Sequence, residues 1–421
     1  MTGSTPTFAT VKEQDAYYKS LAPTFQYKNE PVETRDRKVL LVRNETPFNA
    51  EPTLPRLIEH QVTPIPRFFK RNHGPIPQLN SAEYTLTVRV VDGPTKVWTL
   101  HELQTQFPQY EVMAALQCAG NRRDGLNEVK PVKGVIWGPG TISNAVWSGV
   151  RLRDVLLASG EGRFSEKSGA RYATWHVDFQ AYGLCQEAPC YGSSVPVATV
   201  LDPAQDVLLA LGMNGETLPA DHGYPCRVVV PGVIGARSVK WLKQITVQPE
   251  ESSIFFQKRD YKILPPEANA QNLGQFWDKL SALQTMNVQS VICYPTADTW
   301  IPPGPCTIAG YAISGGGVRI DRVDVSVDNG KTWKLAVLER LLSSIDARAN
   351  PALRDLPTTK HWAWTRWTYT VKSVPADAVL VCRAWDANGN TQPENPVWNY
   401  RGVMNNSWFR VDLSNRPSSR L

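Results

Sequence analysis

The stretch Ile320-Asp321-Arg322-Val323-Asp324-Val325-Ser326-Val327 decides the fold of the second half of this chain, together with the Asp328-Asn329-Gly330 that follows it. Apolar and polar residues alternate through the first eight positions, which is the pattern of a half-buried strand. Asp-Asn-Gly is a hairpin signal, and Thr332-Trp333-Lys334-Leu335 supplies the returning strand. The segment therefore predicts an antiparallel β-hairpin.

Similar segments surround this hairpin. Thr307 to Ala312, Trp362 to Val371 and Ala378 to Trp385 are predicted strands, with turn clusters at Ser314-Gly315-Gly316-Gly317 and Asp386 to Asn390. Several short strands at this spacing, over about 120 residues, predict a β-sandwich of immunoglobulin type.

The first half has a different character. Strands are predicted at Tyr84 to Val90 and Glu111 to Leu116, and two more around a tight loop within Cys226 to Gln248. Short helices are predicted from Leu100 to Leu103 and from Gly149 to Leu157, the second with Gly160 just past its end. This half is predicted to be α+β with irregular loops.

Length and local composition divide the chain of 421 residues into two main domains. We expect an extended N-terminal arm over residues 1–55, a first domain over 56–265, a linker over 266–285, an immunoglobulin-like domain over 286–415 and a tail over 416–421.

Composition excludes several classes of protein. The 33 Pro and 28 Gly argue against a helical bundle, and the net charge of +6 favours an anionic ligand without indicating nucleic acid. Residues Met1 to Ser20 show no secretory signal, and no membrane-spanning stretch is expected. Seven scattered cysteines indicate reduced thiols. The final Ser419-Arg420-Leu421 is a variant of the Ser-Lys-Leu address and predicts a peroxisomal location.

The strongest chemical signal is Leu116-Gln117-Cys118-Ala119-Gly120-Asn121-Arg122-Arg123. Cationic neighbours favour the thiolate of a cysteine, which is the form that attacks substrates or binds metals. Spacing alone leaves three interpretations open for Cys118: a metal ligand, a catalytic nucleophile or a buried structural thiol. A nucleophile would need a histidine partner, for which His73, His176 and His222 are candidates. Zinc is poorly supported, because Cys185 and Cys190 have no second pair at zinc spacing.

A second signal is a set of cationic residues among Gly, Pro and aromatic neighbours. Arg grips oxyanions in a bidentate manner, Lys adds a point charge, and Gly lets backbone amides approach an anion. Neither a Walker motif nor a dinucleotide glycine pattern is present. The set predicts a buried ligand that bears phosphate or resembles sulfate. It comprises the segments Lys70 to Gly74, Lys133 to Trp137, Asp221 to Arg227 and Gly235 to Trp241.

The chain resembles the sulfite oxidases, specifically their short, haem-free, plant-type members within the sulfite oxidase and nitrate reductase family of molybdenum-cofactor enzymes. The resemblance covers most of the length, from about Phe48 to Trp408. It is carried by Phe68 to Pro77, Leu116 to Arg123, Asn214 to Glu216, Asp221 to Trp241, Gly310 to Val327 and Trp398 to Trp408. The resemblance implies a mixed α/β molybdopterin-binding domain followed by an immunoglobulin-like dimerisation domain, and therefore a homodimer.

The resemblance also implies residue roles. Cys118 would be the protein ligand of molybdenum in a molybdenum–molybdopterin cofactor. The implied substrate pocket consists of Arg71, Arg123, Lys133, Trp137, Tyr261 and Arg401. The implied cofactor contacts are Phe68, Phe69, Lys70, Arg71, Asn72, Ala181, Tyr182, Gly183, His222, Arg227, Arg237, Ser238, Val239 and Lys240.

The family contains a rival function, nitrate reduction. Tyr261 and Arg401 favour sulfite, since nitrate reductases tend to carry Asn and Met there, whereas Met404 to Phe409 reads more like the nitrate enzymes. The chain is expected to hold neither haem nor flavin, so electrons from sulfite would pass to an external acceptor, with oxygen giving hydrogen peroxide as the natural candidate. A non-catalytic molybdopterin-binding protein is the remaining alternative. No nucleic acid or membrane partner is expected.

Overall fold

The computed structural model describes residues 27–28, 30–164, 169–185, 187–339, 360–375 and 377–414, and the structural statements below concern these residues. The predicted peroxisomal tripeptide and residues 1–26 of the predicted arm lie outside them. No helix in these ranges has the length and apolar character needed to cross a membrane.

The first half of the chain contains twelve strands. They are β1 (Leu40–Asn44), β2 (Asn49–Pro52), β3 (Thr85–Val90), β4 (Thr95–Thr99), β5 (Gln109–Gln117), β6 (Ile142–Arg151), β7 (His176–Ala181), β8 (Gly192–Pro196), β9 (Leu208–Met213), β10 (Glu216–Thr217), β11 (Arg227–Val229) and β12 (Leu242–Gln248). The α-helices are α1 (Leu54–Leu57), α2 (Leu100–Thr105), α3 (Arg123–Val129), α4 (Leu152–Ser159), α5 (Gly169–Tyr172) and α6 (Val197–Leu201). Short 3-10 helices lie at Val32–Thr34, Ile65–Arg67, Pro203–Gln205, Ala220–His222, Gly235–Arg237 and Leu273–Gln275, and a π-helical turn lies at Phe256–Asp260.

Two five-stranded sheets form the framework of the first domain. One has the order β4-β3-β12-β7-β8, in which β3 and β12 run parallel and the other pairs are antiparallel. The other has the order β10-β9-β6-β5, with β11 also paired to β9. The predicted α+β character is confirmed.

The two helices predicted in the first domain are both present. Thr99 and Glu102 form a capping box, in which each side chain receives a backbone N–H of the other, and α2 starts at Leu100. The second helix, α4, starts at Leu152 rather than at Gly149, because residues 149–151 pair with β9 as the end of β6. A Cβ on Gly149 would lie 2.0 Å from the Leu209 carbonyl oxygen, so only glycine fits this strand position.

Part of the predicted extended arm is a β-hairpin. Strands β1 and β2 pair antiparallel, and Phe48, Asn49 and Glu51 are almost completely buried. Sequence periodicity did not reveal this hairpin because β2 is buried on every side and includes polar residues, so it does not alternate. The described part of the arm thus packs on the first domain, through this hairpin and through the bond of Arg35 to Asp221.

The second half forms the predicted sandwich. Its strands are β13 (Gln289–Tyr294), β14 (Cys306–Ile313), β15 (Ile320–Ser326), β16 (Lys334–Leu335), β17 (Val337–Glu339), β18 (Thr365–Val371), β19 (Val379–Asp386) and β20 (Phe409–Asp412). They form two four-stranded sheets, β13-β14-β18-β17 and β16-β15-β19-β20, around a common apolar core. The hairpin prediction is confirmed: Val325 pairs with Lys334, and Asn329 and Gly330 in the turn have positive φ values.

The segment predicted as a linker packs against both neighbours. Leu273 and Trp277 belong to a small apolar cluster with Leu264, Ala268 and Tyr400. The main core of the first domain also includes Tyr311 and Trp364 from the sandwich. Contacts of this kind join the two domains next to the pocket described below.

Candidate active site

A pocket in the first domain contains about 840 Å³ of space not filled by protein atoms, counted out to its mouth. This is within the size range of small-molecule and cofactor sites. Its wall is formed by residues within the segments 68–75, 116–118, 182–185, 221–227 and 235–241 and by Tyr191 and Tyr261. Segments far apart in sequence converge here, mostly at loops and strand ends.

The pocket wall contains many of the predicted residues. Those that line it are Phe68, Phe69, Arg71, Asn72, Cys118, Tyr182, His222, Arg227, Ser238, Lys240 and Tyr261. The predicted residues outside this wall are Lys70, Arg123, Lys133, Trp137, Ala181, Gly183, Arg237, Val239 and Arg401.

Cys118 follows directly after β5. Its backbone N–H donates to the Thr141 carbonyl at 3.0 Å, which anchors the residue beside β6, and the Gly120 N–H is directed at its sulfur at 3.4 Å. An N–H donor directed at the sulfur stabilises negative charge on it. All seven cysteines are free thiols, as predicted.

The loop after Cys118 is held by the second domain. Arg122 has φ +63° and donates from Nη1 to the Ser407 carbonyl at 2.7 Å, while the Asn405 amide donates to the Arg122 carbonyl at 2.8 Å. Asn121 donates to the Tyr311 hydroxyl at 3.2 Å. The stretch Met404 to Phe409 thus supports the thiol loop from behind and adds no side chain to the pocket wall.

A hairpin residue holds the segment Gly138 to Thr141, whose carbonyls bind the backbone of Cys118 and Arg122. The Glu51 carboxylate accepts hydrogen bonds from the Gly138 N–H at 2.7 Å, the Gly140 N–H at 3.0 Å and the Thr141 hydroxyl at 3.0 Å. Its oxygen also pairs with Arg43 at 2.6 Å. Sequence reasoning did not identify Glu51 as a site residue, because it lies in the segment predicted as an arm.

The opposite end of the pocket is basic and buried. Arg227 donates to the carbonyls of His222 at 2.9 Å and Ser238 at 2.8 Å, and Lys240 donates to the Asp221 carbonyl at 2.9 Å and to the Asn72 amide oxygen. Burial lowers the pKa of Arg227 to about 9. Burial, with help from the charge of Arg227, lowers the pKa of Lys240 to about 7. Backbone carbonyls hold both cations in place without neutralising them.

Arg35 fixes the Asp221 side chain behind this basic end. Its guanidinium binds the carboxylate in a bidentate manner, at 2.9 and 3.0 Å, and it also pairs with Glu30 at 2.6 Å. Both members of the Arg35–Asp221 pair are buried. The N-terminal segment therefore helps to position the carbonyl that Lys240 contacts.

The surroundings of His222 indicate whether a phosphate-bearing ligand fits the basic end of the pocket. Its Nε2 atom is buried and has no hydrogen-bond partner among the described residues. Burial and the cations Lys70, Lys240 and Arg227 hold the pKa of His222 well below its usual range. A buried, unpartnered ring nitrogen beside cations that only carbonyls and an amide oxygen contact is costly without a ligand. A phosphate-bearing ligand would compensate the cations and could accept a hydrogen bond from Nε2 when that nitrogen carries a proton, so the residues present fit molybdopterin.

Cys118 is the candidate metal ligand in the pocket wall. Among the described residues, no three His, Cys, Asp or Glu side chains form a metal-binding cluster. Cys118 would share the molybdenum with ligands from a cofactor, as the family resemblance implies. No histidine ring is hydrogen-bonded to the sulfur within the described ranges, which removes the support for a Cys–His nucleophile.

The predicted substrate residues Arg71 and Tyr261 lie near Cys118 in the wall. Arg71 donates to the Asn72 carbonyl and lies 3.3 Å from His73 Nδ1. Burial by itself lowers the pKa of Arg71, but the nearby Tyr261 and Cys118 outweigh it and the net shift is upward. Burial raises the pKa of the Tyr261 phenol, so it stays protonated at neutral pH.

The remaining predicted substrate residues lie behind this wall. Arg123 donates to the carbonyls of Gly402 at 3.0 Å and Val135 at 2.7 Å. Burial lowers the pKa of Arg123 to about 10. The nearby Cys118 opposes this shift, and the positive charge of Arg401 adds to it. Arg401 forms an ion pair with Asp260, the neighbour of Tyr261. These contacts bring Arg123 and Arg401 into the electrostatic surroundings of the thiol.

Lys133 and Trp137 differ in their exposure to solvent. Lys133 is exposed, and its backbone N–H donates to the Tyr400 carbonyl at 2.8 Å, beside Arg401. Trp137 is completely buried in an apolar cluster that also contains Cys118, and its indole N–H has no partner among the described residues. The catalytic role assigned to each remains a prediction.

Several predicted cofactor residues use their side chains inside the fold. Lys70 donates to the carbonyls of Ile65 at 3.1 Å and Pro66 at 2.7 Å, and Arg237 donates to the Leu283 carbonyl at 2.8 Å. Val239 and Ala181 are buried in the main core, and Gly183 has φ +88°. A cofactor contact from any of these would come through the backbone, which the sequence cannot indicate.

The unusual pKa of two lysines leads to a pH prediction for the cofactor-free protein. Burial lowers the pKa of both Lys70 and Lys240 from 10.5 to about 7. The unfolded chain therefore binds more protons between about pH 7 and 10.5, so the free energy of unfolding should rise with pH across this window. Urea denaturation of Lys240→Met at pH 7 and pH 9 should show a smaller rise than the parent protein. The exposed Lys334→Met is the control, and an equal rise in all three proteins would contradict the prediction.

Comparisons with known proteins agree with this geometry. Residues 73–256 match the family described as oxidoreductase molybdopterin binding domain, and residues 280–416 match the Mo-co oxidoreductase dimerisation domain. The chain is 42% identical to a sulfite oxidase of Arabidopsis thaliana over 397 residues, covering 92% of this chain and 96% of that protein. It is 40% identical to a nitrate reductase of Hordeum vulgare, covering 87% of this chain and 41% of that protein.

A solved structure shows the same architecture. The sulfane dehydrogenase SoxCD of Paracoccus pantotrophus superimposes with a TM-score of 0.68 at 26% identity, covering 89% of this chain and 86% of that one. A pocket whose wall combines the Cys118 thiol with a basic end is consistent with the matched molybdopterin-binding domain. This chain is an enzyme of the sulfite oxidase family, with a molybdopterin-binding domain followed by a dimerisation domain.

Proposed function

We propose that this chain oxidises sulfite to sulfate at a molybdenum–molybdopterin centre and passes the electrons to an external acceptor, molecular oxygen, with release of hydrogen peroxide. The observation that carries the proposal is the joint placement of Cys118, Arg71 and Tyr261 in the wall of one buried pocket with a basic far end. The similarity to the Arabidopsis sulfite oxidase along nearly the whole of both chains supports the choice of substrate.

The two ends of the pocket would hold two parts of the cofactor. Cys118 would bind the molybdenum, while Arg227, His222, Ser238 and Lys240 would contact the pterin and its phosphate. When bound, the cofactor supplies the oxygen atom and accepts the two electrons. The protein's contribution is to position the cofactor and to surround it with positive charge.

Sulfite is a small anion, and its approach costs electrostatic energy near any negatively charged metal centre. Arg71 in the wall and Arg123 behind it lower that cost, as does Arg401. Asp260 neutralises part of Arg401 and orients its guanidinium. Tyr261 lines the pocket with a protonated phenol, whose single O–H can be donated either to a substrate oxygen or to the neighbouring His73.

The reaction consumes water and releases protons: sulfite plus water gives sulfate, two protons and two electrons. Oxygen takes up both electrons and both protons to give hydrogen peroxide, so the overall reaction balances. The ending Ser419-Arg420-Leu421 supports a peroxisomal location, where peroxide is removed. The match of residues 280–416 to a dimerisation domain supports a homodimer.

Nitrate reduction is the alternative function, and the similarity to the Hordeum vulgare nitrate reductase supports it. The stretch Met404 to Phe409, which reads like the nitrate enzymes, supports Arg122 and adds no side chain to the pocket wall. Tyr261, which favours sulfite, does line the pocket. Tyr261 in the pocket wall therefore favours sulfite, as does Arg401 behind it.

The proposal is tested on the purified protein by three measurements: metal content, oxygen uptake with sulfite, and nitrate reduction with a reduced viologen dye. We expect one molybdenum per chain and sulfite-dependent oxygen uptake with matching peroxide. Nitrate turnover without sulfite oxidation would establish the alternative. Molybdenum with neither activity would favour the non-catalytic interpretation. A folded protein that retains no molybdenum when the complete cofactor is supplied would show that Cys118 is not a metal ligand.

A further inference from the structure

The pocket wall contains a histidine whose surroundings are unusual. His73 Nδ1 lies 3.3 Å from both carboxylate oxygens of Glu187 and 3.3 Å from Arg71 Nη2. Its other nitrogen, Nε2, lies 3.3 Å from the Tyr261 hydroxyl. His73 therefore connects a residue of the substrate pocket to a carboxylate on a different loop.

The His73 ring is held in one orientation. Its ring centre lies 4.4 Å from that of Phe256, edge to face, and 5.2 Å from that of Tyr191, and these two rings stack on each other. Only 7% of the residue is exposed. With the ring fixed, the remaining variable is which nitrogen carries the proton.

Two neighbours compete for His73 Nδ1. Arg71 can only donate a hydrogen bond, which requires a bare Nδ1, whereas the Glu187 carboxylate can only accept one, which requires Nδ1–H. The first arrangement makes Nε2 a donor to Tyr261, and the second makes Nε2 an acceptor from it. The outcome at Nδ1 therefore decides the direction of the hydrogen bond at Tyr261.

The charges around His73 keep it neutral and Glu187 ionised. Burial and Arg71 lower the pKa of His73, and the opposing influence of Glu187 and Asp260 does not reverse the shift. Burial raises the pKa of Glu187, but His73 and Arg71 outweigh it and the net shift is downward. The other titratable groups that act on this cluster are Arg401, Cys185, Tyr261 and Tyr191, and burial raises the pKa values of Cys185 and both tyrosines, which keeps them protonated.

We propose that Glu187 is a positioning residue that holds His73 as the Nδ1–H tautomer, so that Nε2 accepts the Tyr261 proton and the three side chains form a proton route out of the pocket. The Glu187 side chain is 36% exposed, so its far side reaches solvent. The release of protons in the pocket rests on the proposed function, but the tautomer of His73 can be measured independently of activity.

The proton transfer balances without any further reactant. Turnover of sulfite and water releases two protons, and one of them would bind the Tyr261 oxygen as the phenolic proton moves to His73 Nε2. The Nδ1 proton moves at the same time to the Glu187 carboxylate, which then loses a proton to solvent. Exchange of the His73 protons through water, in which Nε2 loses its proton and Nδ1 gains one, restores the starting state without returning a proton to the pocket.

The kinetic test compares Glu187→Gln, Glu187→Asp and the exposed control Glu111→Gln, with ferricyanide as electron acceptor. We expect Glu187→Gln to lower kcat by about tenfold while KM for sulfite changes little, because outer positioning partners are typically worth ~10–100-fold. Glu187→Asp keeps the charge and should recover part of kcat. The acidic limb of the kcat profile should move to lower pH in Glu187→Gln, since loss of the carboxylate further lowers the pKa of His73. A merely structural role would move neither the pH profile nor the balance between kcat and KM.

The second test does not depend on activity. ¹⁵N-histidine NMR, with His73→Gln to assign the signal, should show a protonated Nδ1 in the parent protein and a protonated Nε2 in Glu187→Gln, where a neutral amide competes with Arg71 less strongly than the carboxylate does. An unchanged tautomer in Glu187→Gln, or unchanged kcat and pH profile, would overturn the proposal. If the parent protein fails to oxidise sulfite yet the tautomer still switches, the proposed function is wrong and the positioning of His73 by Glu187 stands.

Discussion

Replacement of Cys118 by serine is expected to abolish sulfite oxidation, with a loss of at least ~4 kcal/mol of transition-state stabilisation, or about 10³-fold in kcat. Cys118 is the predicted metal ligand in the pocket wall, and a serine hydroxyl is neither soft nor ionised at neutral pH. The Gly120 N–H that is directed at the sulfur would then face a neutral oxygen.

The Cys118→Ser experiment measures steady-state turnover with ferricyanide and molybdenum content on the same preparation. Cys190→Ser is the matched control, because Cys190 is a half-buried thiol on a neighbouring loop, outside the pocket wall, whose pKa burial raises to about 11. We expect the control to retain both molybdenum and activity. Comparable activity in Cys118→Ser and the control would show that the thiol is not a ligand.

Replacement of Glu51 by alanine should cause the largest loss of stability, about 3–5 kcal/mol, because its buried carboxylate accepts three hydrogen bonds, whereas its ion-pair partner Arg43 is one-third exposed and contributes less. The change removes the shared acceptor of two backbone N–H groups and the Thr141 hydroxyl, and it leaves Arg43 without that partner. Each buried polar group left unsatisfied costs ~1–3 kcal/mol.

The same change should weaken cofactor retention, because Thr141 anchors the backbone of Cys118 and Gly138 accepts from the Arg122 N–H. Urea denaturation and molybdenum content measure the two effects. The control is Glu45→Ala, whose ion pair with Arg37 is exposed and should be worth at most ~1 kcal/mol. Equal stability of the two variants would mean that the loop does not depend on Glu51.

These predictions reflect a site assembled from three parts of the chain. The first domain supplies the pocket wall, while the N-terminal hairpin supports the thiol loop through Glu51. The second domain supports the same loop through Ser407 and Asn405, which bind Arg122. A change in the hairpin or the sandwich can therefore alter the site without touching the pocket.

Local patterns in the sequence were sufficient for much of the fold. The alternation from Ile320 and the turn at Asp328-Asn329-Gly330 predicted a hairpin that the structure contains, and the four residues Thr99–Glu102 explain a helix start. Such features depend on residues a few positions apart, whose interactions follow from backbone geometry. The short Leu116 to Arg123 motif also identified Cys118, because a thiol beside cations is chemically distinctive.

By itself, then, the sequence determined the two-domain order, the sandwich and the residue types of the site. Only the tertiary structure decided which side chains face the pocket: Arg71 and Lys240 line it, while Lys70 and Arg237 bind carbonyls within the fold. It also decided that Glu51 supports the thiol loop and that Glu187 meets His73, 114 positions away. The physical reason is that the direction of a side chain and its distant partners depend on how the whole chain packs, and a linear pattern carries only near-neighbour information.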